Sequence, residues 1–394
     1  MVEALEPVKA LRDAVWARSP QGGPTREYAL LAGPNLVQAM IPTSKETRRA
    51  AATSLLRRTN RTSRVEVVGR VALATAARSG VLQRALSKRA DLPATLPQGS
   101  VAEWVCEFFG RDDLVFIGGI GHPRTNAKPV VQVLTPEGAV VAWAKLGTNR
   151  LTRRLVDAEF ASVGRVGGTS SGIAVPSPLA RAELDDVTAI LLGPLPGWTG
   201  SIRRPGAPSA SEAMAVAALG DGVSHCMVFE SDYATNVLAR AAACSDAVIG
   251  RLATEAFKRS ADQIEEPLSL GTFHGDFVPW NMLQTAGRLN LWDWERSRSS
   301  VPVGFDSIHY IAQTRRPSRG SSDKFLDGLP HFDVALRDLG ITRPACLSLV
   351  CMYLIEMLLR YSADGDFVGS QQAAPAVAAY AKSLEQVLVE VRRR

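Results

Sequence analysis

The stretch His274-Gly275-Asp276-Phe277-Val278-Pro279-Trp280-Asn281, followed by Leu291-Trp292-Asp293-Trp294-Glu295, is the part of the sequence whose reading decides the fold. Asn281 stands five positions after Asp276, and Asp293 stands twelve after Asn281. The run between them predicts a hairpin: Met282-Leu283-Gln284, a turn at Thr285-Ala286-Gly287, then Leu289 to Trp292. A hairpin folds Asn281 back beside Asp293, so that two hard oxygen donors face one point, as a shared magnesium ion requires.

Transfer of a phosphoryl group from a nucleotide needs these parts. A carboxylate orients the attacking hydroxyl and accepts its proton, and oxygen ligands hold Mg²⁺ against the phosphates. The sequence resembles the aminoglycoside phosphotransferase and choline-kinase-like family, distant relatives of protein kinases, in HGDFVPWN (274–281) and LWDWE (291–295). The resemblance covers roughly residues 101–394. It implies Asp276 as catalytic base, Asn281 and Asp293 as magnesium ligands, and ATP as the nucleotide, with GTP as the alternative.

Other positions fit the same template. Lys145, in VVAWAKLG, stands where the family's phosphate-binding strand lysine would be, and Glu159, fourteen residues on, is its expected ion-pair partner. Asp157 is the competing carboxylate. Gly118-Gly119-Ile120-Gly121 precedes the lysine strand, so Gly119 and Gly121 are candidates to bring backbone amides to the phosphates, or else form a plain turn. No G-K-[ST] follows, which excludes a Walker A loop. LLGPLPG (191–197) resembles an adenine-holding hinge, with a carbonyl from Gly193 and an N–H from Leu195. Pro194 and Pro196 flank that donor without replacing it. Asp306 matches a family aspartate that supports the site from behind, and His274 is expected to anchor the catalytic loop by hydrogen bonding. Trp280, Trp292 and Trp294 read as packing, with Trp280 able to line a sugar face. His225, His309 and His331 show no ligand spacing and read as ordinary histidines.

Outward from the motif, the expected fold class is α+β. A small strand-rich lobe with its hinge (101–197) precedes a larger helical lobe (198–394) carrying the catalytic and metal-binding motifs, with a cleft between. Residues 1–95 read as an additional small N-terminal α/β domain. Within it, 27–41 predicts two strands around Gly33-Pro34-Asn35, and Thr43–Arg58 and Gly69–Arg89 predict helices. Residues 90–100 (ADLPATLPQGS) read as a linker.

Composition sets the outer limits. Apolar residues make up 46% of the 394 and charged residues 21%, which suits a chain with a real core. No apolar run reaches the roughly 18 residues of a membrane span. The N-terminus lacks an apolar signal core, so a cytoplasmic location is expected. The five cysteines show no C-x-x-C spacing, which argues against a disulfide framework or structural zinc.

The net charge of +6 is uneven: residues 45–89 hold twelve bases and two acids. That segment reads as a solvated helix face, with nucleic-acid or membrane-surface contact as the alternative. The absence of any aromatic residue between Tyr28 and Trp104 weakens a single-strand nucleic-acid role. Residues 101–394 carry 29 bases and 32 acids with no dense acidic run, so among the expected acceptors, a sugar, a glycoside or an aminoglycoside-like molecule, a neutral or anionic one is favoured over a polycation. The sequence therefore points to an O-phosphotransferase for a small hydroxylated molecule. The competing expectation is a catalytically weak nucleotide-binding scaffold that docks an anionic partner through 45–89.

Overall fold

In the computed structural model, residues 6–16, 24–33, 36–57, 64–94, 96–119, 126–167, 172–195, 208–285, 287–315 and 325–392 are described. The chain mixes helix and sheet and divides into two compact units. The first comprises residues 1–164 and 176–202, the second residues 165–175 and 203–394.

The first unit is organised by a five-stranded antiparallel sheet. Its spatial order is Val115–Gly119, Val130–Leu134, Val140–Gly147, Val187–Leu192, Pro178–Leu184. Runs rich in Val, Ile and Leu favour extended backbone. Gly138, at φ 96°, closes the Pro136-Glu137-Gly138 turn between the second and third strands. Side chains alternate across the lysine strand, so Ala142, Ala144 and Leu146 enter one apolar core while Lys145 points to the other face. The helix Arg150–Val166 follows that strand. Its start is capped reciprocally: Asn149 Oδ1 accepts from Thr152 N at 2.9 Å, and Thr152 Oγ1 accepts from Asn149 N at 3.0 Å.

The N-terminal residues form a three-stranded antiparallel sheet, Leu36–Pro42, Thr25–Gly33 and Arg89–Pro93, with the helices Glu6–Trp16, Arg48–Leu56, Arg64–Ser79 and Val81–Ala85. Two details differ from the sequence expectation. The linker expected over 90–100 is in part a strand, with Thr25 to Ala29 pairing antiparallel to Pro93 to Arg89. Pro93 is tolerated there because it ends the strand. The helix expected over 69–89 is broken at Gly80, whose φ of 81° is left-handed and whose missing Cβ leaves room for the Arg48 guanidinium. The turn expected at Pro34-Asn35 lies outside the described residues.

A boundary near residue 95 is the expectation from composition. In the structure, the elements on either side of it share one core. Leu11 and Trp16 of the first helix, Tyr28, Leu30, Met40 and Leu92 of the small sheet, and Val101 and Val105 of the helix Val101–Phe109 pack with Phe116, Val131, Val133, Ala144 and Leu191 of the large sheet. Part of the basic segment is likewise tied down, since Arg89 lies 3.3 Å from Glu27 and donates to the Gln83 carbonyl at 2.7 Å.

The second unit is largely helical. The helix Arg343–Val368 forms its centre, with Leu349, Cys351, Met352, Tyr353, Ile355 and Leu358 fully buried in the core. It is long and apolar enough to cross a membrane by composition, which the sequence reading missed, yet 78% of the relevant window is buried inside the protein. A helix apolar on all sides is what a core helix requires. Two small sheets carry the motif: Ser224–Cys226, Leu268–Phe273 and Arg298–Pro302 in one, and the hairpin Met282–Thr285 with Arg288–Leu291 plus Ile173–Ala174 in the other.

The shared core of the first unit has a measurable consequence at Gly118. A Cβ added there would stand 2.2 Å from Leu11 Cδ2, so Gly118→Ala should destabilise the protein by about 1–3 kcal/mol through overpacking. Leu11→Ala in the same chain should recover part of that loss. Strictly additive effects in a denaturant double-mutant cycle would show that the first helix does not seat on this strand.

Candidate active site

The loop after the strand Leu268–Phe273 is held by its own backbone. The buried Asp306, in the first turn of the helix Phe305–Thr314, accepts from His274 N at 2.9 Å and from Gly275 N at 3.2 Å. Burial pushes the Asp306 carboxyl up to about 7, against the lowering effect of those two donors and of the Arg360 guanidinium. Arg360 also donates to the Gly275 carbonyl at 2.7 Å. Gly275 is required twice: its φ is 84°, and a Cβ would stand 2.2 Å from the Arg296 carbonyl oxygen.

His274 is fully buried and fully used. Its Nε2 lies 3.1 Å from the Trp292 carbonyl, which only accepts, so Nε2 carries the proton; Nδ1 accepts from Asp276 N at 3.2 Å. Its ring sits 4.4 Å from that of the buried Trp294. Burial lowers the His274 pKa to about 4, so the neutral ring ties the loop to the far arm of the hairpin. Its contacts are those of an anchor.

The hairpin register places the polar groups. Met282 pairs with Leu291 and Thr285 with Arg288, and Trp292 N donates to the Asn281 carbonyl at 3.1 Å. Asp293 therefore follows directly on the residue bonded to Asn281. Its φ of 72° is left-handed, uncommon for a non-glycine residue and a conformation that the surroundings must enforce. Asn281 Nδ2 donates to the Asp276 carbonyl at 3.0 Å and to Asp276 Oδ2 at 2.8 Å. Both partners only accept, so the amide orientation is unambiguous and Asn281 Oδ1 is directed away from them. That oxygen and the Asp293 carboxylate are each hard donors of the kind that suits Mg²⁺.

Asp276 itself is caught from two sides. Oδ2 takes the Asn281 amide, and His309 Nε2 lies 3.2 Å from Oδ1. Burial works to raise the Asp276 pKa, but the hydrogen bond and proximity of His309 outweigh it and hold the carboxylate below its usual value. His309 is the residue that the sequence reading missed. The available signal was its position three residues after Asp306, on the same face of one helix.

In the first unit, Lys145 Nζ lies 2.6 Å from Glu159 Oε1 and 2.7 Å from Oε2, with both residues buried. Of the two carboxylates offered by sequence, Glu159 takes the lysine, while Asp157 pairs with Arg181 at 2.6 Å. Removing one partner of such a pair strands a buried charge. Gly118 and Gly119 are the last two residues of the strand Val115–Gly119, so they belong to the sheet, and Gly121 lies outside the described residues. Gly193 donates its N–H to the Ser177 carbonyl at 2.7 Å, and Leu195 is buried. Trp280 is 43% exposed, next to Asn281.

No protein-family model matches the sequence, and no curated protein matches it. Solved structures to which the chain is similar are kinases and phosphotransferases. A thermostable mutant of the aminoglycoside phosphotransferase APH(4)-Ia, in a ternary complex with AMP-PNP and hygromycin B, is 14% identical over 72% of this chain and 97% of its own, with a TM-score of 0.44. A choline/ethanolamine kinase family protein from Mesorhizobium loti is 14% identical over 70% of this chain and 92% of its own, with a TM-score of 0.40. Amicoumacin kinase in complex with AMP-PNP and Ca²⁺ is 12% identical over 70% of this chain and 88% of its own, with a TM-score of 0.39.

The neutral burial of His274 sets a pH dependence. With a pKa lowered from 6.5 to about 4, the ring takes up a proton in the unfolded chain before it does so in the folded one. The contribution of His274 to stability should therefore fall as pH is lowered from about 6.5 towards 4, while the raised Asp306 carboxyl contributes with the opposite sign. His274→Gln, which removes the first contribution and leaves the second, should gain stability relative to wild type as pH falls over that interval. Parallel denaturant midpoints for the two proteins would contradict a buried neutral ring.

Proposed function

We propose that the chain is an ATP-dependent O-phosphotransferase that passes the γ-phosphoryl group to a hydroxyl of a sugar- or glycoside-like acceptor. The observation that carries this reading is the Asp276–Asn281 unit: a carboxylate held through both oxygens, beside an amide that gives its N–H to that carboxylate and so keeps its own oxygen off it. In this reading Asp276 aligns the acceptor hydroxyl and takes its proton. Asn281 and Asp293 are the residues that would hold Mg²⁺, which when bound would neutralise charge on the phosphates. Lys145, oriented by Glu159, is the cation for those phosphates, and Gly193 with Leu195 is the backbone segment for the adenine. The exposed face of Trp280 supports a sugar-like acceptor, because the C–H face of a pyranose packs on an indole ring. The near balance of charge in residues 101–394 also favours a neutral or anionic acceptor over a polycation. The five free cysteines suit a reducing, cytoplasmic location.

The test is a nucleotide-consumption screen over sugars, glycosides, aminoglycosides and choline-like alcohols, run with wild type and Asp276→Asn. The variant leaves Asn281 Nδ2 and His309 Nε2 facing a group with one acceptor in place of two. Its turnover should fall by about 10²–10⁴-fold while nucleotide affinity barely changes. Asp293→Ala should instead weaken Mg²⁺-dependent nucleotide binding together with turnover. Equal ATP consumption by wild type and Asp276→Asn with every acceptor would leave a nucleotide-binding scaffold in place of an enzyme.

A further inference from the structure

A chain of hydrogen bonds runs from Asp276 into the helical core. The Asp276 side chain is 36% exposed, so it meets solvent on one side and the protein on the other. Behind it stands His309, buried in the helix Phe305–Thr314, with Nε2 3.2 Å from Asp276 Oδ1. The other ring nitrogen, Nδ1, lies 2.9 Å from the hydroxyl of Tyr353, which is fully buried in the helix Arg343–Val368.

The direction of each bond follows from the groups themselves. A carboxylate oxygen only accepts, so Nε2 must carry the proton. A neutral imidazole then has Nδ1 as its acceptor, and the Tyr353 O–H donates to it. Burial lowers the His309 pKa and favours this neutral form. The Asp276 carboxylate opposes that shift, and the Arg360 guanidinium assists it.

We propose that His309, with its Nε2 proton required by the carboxylate and its Nδ1 held by Tyr353, is the positioning residue that holds the Asp276 carboxylate in the orientation that receives the acceptor hydroxyl. This role rests on the phosphotransfer reading above. The torsion between the carboxylate and its Cβ is broad and roughly two-fold, so one donor alone leaves the group free to swing. Two donors on different oxygens, His309 on Oδ1 and Asn281 on Oδ2, fix its plane. A neutral donor also costs Asp276 less basicity than a cation at the same distance would. His309 acts through Asp276, so its removal should appear in kcat and not in the KM for either substrate.

The test uses the full chain, the acceptor identified by the screen, and the variants His309→Leu, His309→Gln and Tyr353→Phe, each checked for cooperative unfolding. His309→Leu should lower kcat about 10- to 100-fold, the order expected of a misplaced catalytic group, with both KM values within about twofold of wild type. His309→Gln, whose amide can put an N–H near the position of Nε2, should recover most of that loss. Tyr353→Phe should give an intermediate kcat. In ¹⁵N spectra of histidine-labelled wild type at neutral pH, His309 should be protonated at Nε2 and bare at Nδ1, and Tyr353→Phe, which leaves the Asp276 carboxylate in place, should keep the proton on Nε2. Full kcat in a folded His309→Leu protein, or a ring protonated at Nδ1 alone, would overturn the positioning role while leaving phosphotransfer standing. Absence of turnover by wild type with every acceptor would remove the phosphotransfer reading and the positioning role with it.

Discussion

The buried carboxylate of Asp306, spent on the backbone N–H groups of His274 and Gly275, is the constraint on which the rest of the candidate site depends. Backbone amides at a sharp loop need partners once water is excluded, and a side chain that supplies two acceptors at once fixes the loop as a rigid body. Asp276 leaves that loop in one direction only. Gly275 makes the turn feasible by having neither a Cβ to meet Arg296 nor a penalty for a left-handed φ. Arg360 closes the same turn from the other side through the Gly275 carbonyl.

From that fixed point the polar groups are hung in sequence. His274 carries the loop to the hairpin through the Trp292 carbonyl, the hairpin sets Asn281 beside Trp292, and Asn281 returns to Asp276. The ring of contacts closes on itself, so each member limits the freedom of the next. Asp306 and His309, which reach this loop from farther along the chain, both come from one helix. That helix thus serves both the backbone and the carboxylate of a single loop. Tyr353 brings the central core helix into the same network.

The first unit solves a different problem. A lysine on a strand can be kept charged and buried only if a carboxylate meets it, and the helix Arg150–Val166 brings Glu159 to Lys145. The opposite face of that sheet is apolar and is covered by the first helix and the N-terminal sheet. An apolar sheet face left open would be an aggregation surface, which accounts physically for the shared core.

The sequence by itself determined the local parts. The spacing of Asp276, Asn281 and Asp293 carried a hairpin, because strand pairing and a two-residue turn are short-range and written in adjacent residues. The strand bearing Lys145 and the helix bearing Glu159 were legible for the same reason. Only the tertiary structure decided which carboxylate takes the lysine, since Asp157 and Glu159 stand two positions apart in sequence and differ in the helix face they occupy. It also decided that Gly118 accommodates Leu11, that Arg89–Pro93 is a strand and not a linker, and that His309 bonds to Asp276. These are contacts between residues far apart in the chain, whose partners no local pattern encodes. A histidine without ligand spacing looks ordinary until packing sets a carboxylate against one of its nitrogens and a phenol against the other.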